Sequence, residues 1–402
     1  MKRLKFYRAI VAIAMMLIGW LPSLAHDFEV DGVYYDKINS SKVEVTYKGD
    51  TFLSYSHEYS GNVVIPSSVD YNGTTYSVTT IGYAAFHGCN SLTSIEIPNS
   101  VTSIGNSAFG SCTSLTSIEI PNSVTSIGWA VFYDCLSLTS IEIPNGVTSI
   151  GDSAFGQCLS MTSIEIPNSV TSIGDSAFIS CTSLTSIEIP NGVTSIGNSA
   201  FSNCDSLTSI VVDAGNSIYD SRNGCNAIIE TASNTLIAGC QNTIIPNSVT
   251  SIGDSAFSSC TSLTSIEIPN SVTSIGEMAF CSCSSLTSIE IPNSVTSIGW
   301  AAFEGCSSLT NLSIGNSVTS IGDSAFGFCE NLSGELIIPD SVIKIGNSAF
   351  EECTQLTGLS IGNSVTSIGN QAFDGCINLI GLLTLPASLE SIGTDAFNST
   401  NY

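Results

Sequence analysis

One short motif, Ile-Gly-x-x-Ala-Phe, returns at nearly constant spacing along most of the 402-residue chain. Nine of the twelve intervals between its glycines are 23 residues, two are 24 and one is 56. A fixed period of this length is typical of a solenoid, in which each repeat forms one coil that stacks on the next. The thirteen glycines are Gly82, Gly105, Gly128, Gly151, Gly174, Gly197, Gly253, Gly276, Gly299, Gly322, Gly346, Gly369 and Gly393.

The unit at residues 92–112, LTSIEIPNSVTSIGNSAFGSC, indicates what one coil contains. Residues 94–97 alternate polar and apolar side chains, which predicts a short strand with one buried face. Residues 101–104 predict a second extended piece, after which Gly105 supplies a permissive backbone for the next corner. Asn106 stands where an N-cap would begin a brief helical turn. One coil has too little apolar surface to fold alone, so stability requires several stacked copies.

The unit, written LxxIxIPxxVxxIGxxAFxxCxxL, resembles the BspA-like leucine-rich repeats of bacterial cell-surface proteins, and the resemblance runs from about Val78 to Phe397. It implies a leucine-rich repeat solenoid of β-rich, right-handed coils of 23 residues with short helical turns. It also implies adhesion to protein ligands, such as host matrix or plasma glycoproteins of the fibronectin and fibrinogen kind, or to other microbes. Repeats of this kind are scaffolds, so the motif indicates the fold more specifically than the function.

The N-terminus has the composition of a secretory leader. Four basic residues lie within residues 2–8, an apolar run covers residues 9–21, and small residues stand at Ser23 and Ala25. This pattern predicts a signal peptide at residues 1–25, and its apolar run is too short to span a bilayer. We therefore expect an exported protein, at the cell surface, associated with the outer membrane or extracellular, with no transmembrane segment in the mature chain.

The charge of the mature chain is strongly negative. Without residues 1–25, five basic residues remain against 34 acidic ones, a net charge of −29. Binding to a phosphate backbone or to anionic lipid depends on Lys and Arg side chains, which this chain nearly lacks. Nucleic acid is therefore excluded as a partner.

The repeat pattern divides the chain into five segments. We expect a signal peptide at residues 1–25, a small β cap at residues 26–63, leucine-rich repeats at residues 64–212, an inserted β-hairpin island at residues 213–243, and repeats again at residues 244–402. The cap would cover the open edge of the first coil, and the alternative is a separate ligand-binding module. After the last coil, either the few remaining residues cover the end or a fuller protein continues.

The island interrupts the period with two apolar runs. A turn at residues 232–233 would pair Ile229 with Leu236 and set Cys225 opposite Cys240. In an exported protein, that arrangement makes a cross-strand disulfide between the two cysteines plausible. The island is either a decorated coil or a binding site, since insertions in solenoids map to one face.

Twelve of the fifteen cysteines share one repeat position beside the phenylalanine. We interpret them as small buried apolar residues, because parallel neighbours suit stacking better than S–S bonds. No CxxC pair with a partner pair or histidine exists, so no zinc site is expected. The twelve are Cys89, Cys112, Cys135, Cys158, Cys181, Cys204, Cys260, Cys283, Cys306, Cys329, Cys353 and Cys376.

A row of glutamates, here called the glutamate stripe, recurs at one strand position. Like charges about 5 Å apart repel by about 0.8 kcal/mol per pair in water. The stripe is therefore either a solvated acidic surface or a weak site for a divalent cation such as Ca²⁺ or for a cationic partner. Calcium prefers six to eight oxygen ligands, which a one-sided row supplies poorly. The stripe consists of Glu96, Glu119, Glu142, Glu165, Glu188, Glu267 and Glu290.

Catalytic chemistry has little support in the sequence. His26, His57 and His87 have no motif-like nucleophile setting, and the glycines recur once per coil rather than in a phosphate loop. We expect no enzyme activity, no catalytic residue and no cofactor. The sequence favours a binding or adhesion protein that uses an extended solenoid face. The alternative is a structural spacer of the cell envelope that presents a C-terminal domain absent from this chain.

Overall fold

A computed structural model describes residues 26–49, 51–52 and 58–402. The proposed signal peptide and His57 lie outside the described residues. The chain is a β-solenoid of about 14 turns with 23-residue repeats and a small N-terminal sheet. The leucine-rich repeat solenoid predicted from the motif is thus confirmed.

Twenty-eight short strands and one 3₁₀ turn at Arg222–Gly224 make up the regular structure of the described residues. The strands are β1 (Phe28–Val30), β2 (Val33–Lys37), β3 (Lys42–Thr46), β4 (Ser60–Val64), β5 (Ser68–Tyr71), β6 (Thr74–Ile81), β7 (Ser91–Glu96), β8 (Ser103–Ile104), β9 (Ser117–Ile118), β10 (Ser149–Ile150), β11 (Ser172–Ile173), β12 (Ser186–Ile189), β13 (Ser195–Ile196), β14 (Ser209–Val212), β15 (Tyr219–Asp220), β16 (Ala227–Glu230), β17 (Thr235–Gly239), β18 (Ser251–Ile252), β19 (Ser274–Ile275), β20 (Ser288–Glu290), β21 (Ser297–Ile298), β22 (Asn311–Ser313), β23 (Ser320–Ile321), β24 (Gly334–Ile337), β25 (Lys344–Ile345), β26 (Leu356–Ser360), β27 (Ser367–Ile368) and β28 (Ser391–Ile392).

The N-terminal sheet has the order β1-β2-β3-β6-β5, and β8 of the first full coil pairs with β6. Asp31 and Gly32 form the β1–β2 turn with φ of 52° and 79°, as the Asp-Gly pair predicts. Tyr59, which precedes β4, donates from its hydroxyl to Thr46 O of β3 at 2.8 Å, and its ring lies 4.5 Å from that of Phe86, between centroids. The N-terminal sheet therefore packs on the first coil.

Successive coils pair in parallel along two sides of the stack. One side contains the Ile-Glu-Ile position, as in β12, which pairs with Ser-Ile-Val-Val of β14, and the other contains the Ser-Ile pairs before the glycine, such as β10, β11 and β13. Ser172 pairs with Ser195, 23 residues later, so equivalent residues of successive coils lie side by side. One repeat in the sequence is therefore one step along the stack.

The interior is filled by stacked copies of the same side chains. The phenylalanine rings lie nearly parallel in two runs, from Phe86 to Phe201 and from Phe257 to Phe397, with centroids 4.9–5.5 Å apart. The buried residues form two clusters that meet at the island. The packing therefore repeats coil by coil on each side of the insertion.

The predicted helical turn after the glycine is wrong. Ser107 and Ser111 have φ of 54° and 58°, in the left-handed region, which L-residues do not adopt within a helix. The N–H of Ser107 donates to Trp129 O at 2.9 Å, and that of Phe109 donates to Val131 O at 2.9 Å. These backbone donors bond to the next coil, so no helix forms.

Asn106 is likewise not an N-cap. Its Oδ1 accepts a hydrogen bond at 3.0 Å from the backbone N–H of Trp129, one coil later. Asp175 Oδ1 accepts in the same way from Asn198 N at 2.7 Å. The other acceptors of this kind are Asp152, Asp254, Asp323, Asn347 and Asn370. The Asn or Asp after the glycine therefore joins adjacent coils.

The glycine of the motif is required because backbones approach closely at its corner. A Cβ on Gly174 would lie 2.7 Å from the carbonyl carbon of Gly151 and 2.3 Å from Asp152 Oδ1. A Cβ on Gly105 would lie 2.6 Å from the backbone nitrogen of Tyr83. The reason is thus steric contact between coils, rather than the turn conformation that the sequence suggested.

The island folds as antiparallel strands docked on the Ser-Ile ladder. β15 pairs with β16, β16 pairs with β17, and β17 pairs in parallel with β18. Ile229 pairs with Leu236, which confirms the predicted register at the turn. A bulge between Ile228 and Ile229 then shifts the pairing by one residue.

Candidate binding surfaces

The glutamate stripe lies on the outside of the solenoid. All seven of its glutamates are exposed. Glu142 pairs in parallel with Glu119 on one side and Glu165 on the other, so these carboxylates stand side by side. Ile118 and Ile120 flank Glu119 in sequence and are buried, which follows from the strand period of two. The stripe therefore has the exposure and regular spacing that the sequence predicts.

Apolar residues interrupt the stripe at the island. Val211 pairs with Glu188 and is 45% exposed. Ile244, at the equivalent repeat position of the next coil, is 75% exposed. The stripe is therefore two acidic blocks, at Glu96–Glu188 and at Glu267–Glu290, rather than one continuous row.

Threonine hydroxyls beside the stripe are used to hold coils together. Thr116 Oγ1 donates to Thr93 O at 3.3 Å, and Thr185 Oγ1 donates to Thr162 O at 3.3 Å. The hydroxyl hydrogens of Thr116 and Thr185 are therefore used in bonds between coils and are not free to bind a partner. The glutamates are left as the chief charged groups that this face offers to a partner.

Neither a metal cluster nor a membrane helix occurs in the described part of the chain. No three His, Cys, Asp or Glu side chains of residues 26–49, 51–52 and 58–402 are grouped so that they could hold a metal ion. Over the same residues, no helix has the length and apolar character needed to cross a bilayer.

The cysteines of the repeat are buried free thiols. Cys112 Sγ donates to Phe86 O at 3.0 Å, and Cys181 Sγ donates to Phe155 O at 3.2 Å. Burial raises the pKa of the Cys181 thiol to about 12, so this thiol stays protonated and can donate. These residues are therefore hydrogen-bond donors as well as small apolar residues. Cys281, outside the repeat position, is buried as well.

The island cysteines are free thiols, and the structure does not join them. Cys225 belongs to the C-terminal core cluster, and Cys240 belongs to the N-terminal one. Cys240 Sγ donates to Asn226 O at 3.4 Å, whereas Cys225 Sγ lies 3.7 Å from Ala227 O. The predicted pairing of the two cysteines assumed a regular ladder from the turn onward, without the bulge at Ile228. After the one-residue shift, Ala227 pairs with Gly239, and this register carries Asn226 rather than Cys225 toward Cys240.

His26 and His87, the two described histidines, each pack against an aromatic ring. His26 Nδ1 lies 3.0 Å from Lys48 O, and its ring is 4.6 Å from that of Tyr34. Burial lowers the pKa of His87, which therefore stays neutral at pH 7. The His87 ring packs against Phe52 at 5.1 Å between centroids.

A second surface was missed from the sequence. We call it the turn face: the side chains directly after the glycine, directly after the phenylalanine and on either side of the cysteine of each coil. It carries the exposed side chains of Tyr83, Leu159, Trp300 and Ile377. Comparing the repeats with one another would have found it, because these positions differ most between coils.

A known family of repeat proteins matches most of this chain. The family model described as "BspA type Leucine rich repeat region (6 copies)" matches residues 65–181, 236–354 and 333–402, together more than half of the chain. A search of curated proteins gave no match to this chain.

Solved bacterial structures share the architecture along nearly the whole chain. A leucine-rich cell surface protein from Faecalibacterium prausnitzii is 29% identical, with a TM-score of 0.64 over 92% of this chain and 94% of that one. A leucine-rich repeat protein from Bacteroides ovatus is 29% identical, with a TM-score of 0.55 over 93% and 92%. One from Eubacterium ventriosum is 22% identical, with a TM-score of 0.70 over 93% and 94%, and shows the fold alone. The chain belongs to the BspA-type leucine-rich repeat family.

Proposed function

We propose that this is an exported cell-surface protein that binds other proteins through the strand face of its solenoid. The observation that carries the proposal is the alignment of exposed carboxylates at Glu119, Glu142 and Glu165 on adjacent strands. A flat, regular surface of this kind suits many weak contacts along an extended partner. The interior is closely filled by stacked side chains, so the chemistry available to a partner lies outside.

Export is supported by two observations. The similar protein from Faecalibacterium prausnitzii is described as a cell surface protein. The basic and apolar pattern of residues 1–25 is that of a secretory leader. Within this proposal, the ligands are host matrix or plasma glycoproteins such as fibronectin and fibrinogen, or the surfaces of other microbes.

A binding assay with matched charge changes tests the role of the stripe. Residues 26–402 are purified and titrated against immobilised fibronectin and fibrinogen, as are two triple variants. One is E119Q/E142Q/E165Q on the stripe. The other is E277Q/E330Q/E390Q, which removes three exposed charges elsewhere. We expect binding that only the stripe variant weakens, by about tenfold or more.

Two outcomes would overturn the proposal. Equal loss of binding in both variants would mean that binding depends on the net charge of the protein and not on the stripe, because both variants remove three negative charges. Failure of the wild-type protein to bind either glycoprotein or whole microbial cells would leave the envelope-spacer role, which needs no ligand.

A further inference from the structure

The coils of this chain form an internal alignment, and their differences lie on the turn face. At the stripe position, five successive coils all carry glutamate. At the position directly after the phenylalanine, the same five coils carry His87, Gly110, Tyr133, Gly156 and Ile179. One face is therefore nearly periodic, whereas the other changes from coil to coil.

A periodic surface does not define where a partner sits. Moving an extended partner by one coil along Glu119, Glu142 and Glu165 exchanges each contact for an identical one. Specificity between two binding positions is a difference of free energies, which is close to zero for such a shift. A single binding register therefore requires contacts with a surface that does not repeat.

The turn face presents such a surface over three adjacent coils. A Cβ on Gly156 would lie 2.9 Å from Tyr133 Cδ2 and 3.1 Å from Ile179 Cγ2, so both side chains reach the space above the glycine. Gln157 Nε2 donates to Tyr133 Oη at 2.5 Å, which fixes the ring. Leu159 is 39% exposed, and Leu136 holds the same position one coil earlier.

Trp129 adds a further apolar side chain on the same three coils, so this part of the turn face is richer in apolar residues than the Ser-rich and Thr-rich surface around it. We call Trp129, Tyr133, Leu136, Leu159 and Ile179 the turn-face patch. Trp129, Tyr133, Leu136 and Ile179 are partly exposed, and Leu159 is exposed. Partly exposed aromatic and aliphatic side chains that cluster on a monomer are typical of interaction sites.

Charge and composition around the patch select the partner. No Lys or Arg occurs between Lys48 and Arg222, whereas Asp134, Asp152 and Asp175 lie on the same three coils as the patch. A cationic partner is attracted to such a surface, and an anionic one is repelled. The aliphatic part of the patch suits apolar side chains better than the hydroxyls of a glycan, whose desolvation would go uncompensated.

We propose that the turn-face patch docks an extended polypeptide segment that contains aromatic or aliphatic side chains together with Lys or Arg, and that this contact sets the register of the bound partner. The inference deepens the proposed function and rests on it: the stripe attracts the partner, and the patch decides which coil it meets.

The repeats supply substitutions that remove the patch and keep the fold. Trp129→Asn, Leu136→Thr and Leu159→Thr each introduce the residue that other coils carry at that position, at Asn106, Thr113 and Thr182. A control variant, W300D/I377T, removes two apolar side chains at exposed turn-face positions outside the patch and introduces residues that other coils carry there. Thermal unfolding should show similar melting temperatures for both variants and the wild type.

The probe is a synthetic 20-residue peptide of Lys, Leu, Trp and Gly with a photoreactive benzophenone at one end. Affinity is measured by fluorescence anisotropy, and mass spectrometry maps the crosslink. With wild type and W300D/I377T, we expect crosslinks confined to residues 128–181. With W129N/L136T/L159T, affinity should fall at least tenfold and crosslinks should spread over several coils.

Four results would overturn the inference. Crosslinks that stay on residues 128–181 in the patch variant would show that the patch does not set the register. Equal affinity for a peptide with Glu in place of Lys would show that the acidic surface around the patch does not select a cationic partner. A stronger effect of the patch variant on a neutral oligosaccharide than on the peptide would assign the surface to glycans. Unchanged fibronectin binding by W129N/L136T/L159T, together with loss of binding in E119Q/E142Q/E165Q, would keep the proposed function while rejecting this inference.

Discussion

The thiol of Cys158 donates a hydrogen bond to the backbone carbonyl oxygen of Phe132, 26 residues earlier, at 3.2 Å. The same contact recurs from Cys135 to Phe109 O and from Cys306 to Phe280 O. Phe132 O also accepts from the backbone N–H of Cys135 at 3.3 Å, so the thiol supplies a second donor to this oxygen, which an alanine or valine would not. The repeat uses cysteine because it is small, apolar and able to donate one hydrogen bond.

The buried thiols predict a loss of stability at high pH. Burial raises the pKa of the Cys181 thiol from 9.0 to about 12 and raises that of Cys158 well above 9.0. Above pH 9 the unfolded chain loses these protons and the folded chain keeps them. The contribution of each thiol to the free energy of unfolding should therefore be constant below pH 9 and fall by about 1.4 kcal/mol per pH unit from there up to the pKa of the folded-state thiol.

Urea unfolding between pH 8 and 11 checks this dependence. Thiolate absorbance at 240 nm should increase on unfolding at pH 10 and remain low in the folded protein. A free energy of unfolding that does not change between pH 9 and 11 would contradict the prediction.

Gly174 predicts a steric limit at the corner between coils. The Cβ of Gly174→Ala would meet backbone atoms of Gly151 and Asp152, which cannot move independently of their own coil. We expect the free energy of unfolding to fall by about 1–3 kcal/mol. Gly146→Ala is the matched control, because its nearest neighbour, Asn122 O, is 3.3 Å away. That variant should change stability by less than about 1 kcal/mol.

The Asn and Asp residues after the glycine predict a test of coil-to-coil bonding. Asp175→Ala removes the acceptor for the N–H of Asn198 and should lower the free energy of unfolding by about 0.5–2 kcal/mol. Asp175→Asn keeps the acceptor oxygen, as Asn347 and Asn370 do in their coils, and should leave stability nearly unchanged. Chemical denaturation of the two variants gives the comparison, and equal losses would mean that the charge matters rather than the bond.

The stripe predicts a substitution that stabilises the protein at low salt. Glu142 has a like charge on each neighbouring strand, so Glu142→Gln should raise the free energy of unfolding by a few tenths to about 1 kcal/mol. The gain should shrink between 20 mM and about 1 M NaCl, where the screening length is about 3 Å. Glu390→Gln is the control, because Glu390 lies outside the stripe. Its backbone N–H, which bonds to Thr366 O on the preceding coil, is kept in the variant, so stability should change little at either salt concentration.

The join between the two core clusters predicts a local weak point. Asp205 Oδ1 accepts hydrogen bonds from the N–H of Thr261 at 3.2 Å and from its hydroxyl at 2.5 Å, 56 residues away. Asp205→Ala should speed amide exchange in residues 199–207 and 255–263 and leave residues 128–181 unchanged. Asp213→Ala, which removes only a local bond to Gly215 N, is the control. Uniform exchange in both variants would show that the join is no weaker than the rest.

Much of the stack was predictable because each coil packs on a near copy of itself. Alternation at residues 94–97 predicts that Ile95 is buried and Glu96 exposed, and both hold in the structure. The 23-residue spacing predicts that equivalent residues meet, as Ser172 and Ser195 do. In such a fold, the contacts of one repeat are the contacts of all, so a local pattern also specifies the long-range neighbours.

The sequence by itself determined the period, the buried positions of each coil and the exposed stripe, since these depend only on local alternation and repetition. The tertiary structure decided the backbone conformation of the turns, because the N–H of Ser107 bonds to the next coil rather than to its own. It also decided why glycine recurs and where the island cysteines lie. Those features depend on distances between backbones of different coils and on a single bulge at Ile228, which no count of residues along one chain reveals.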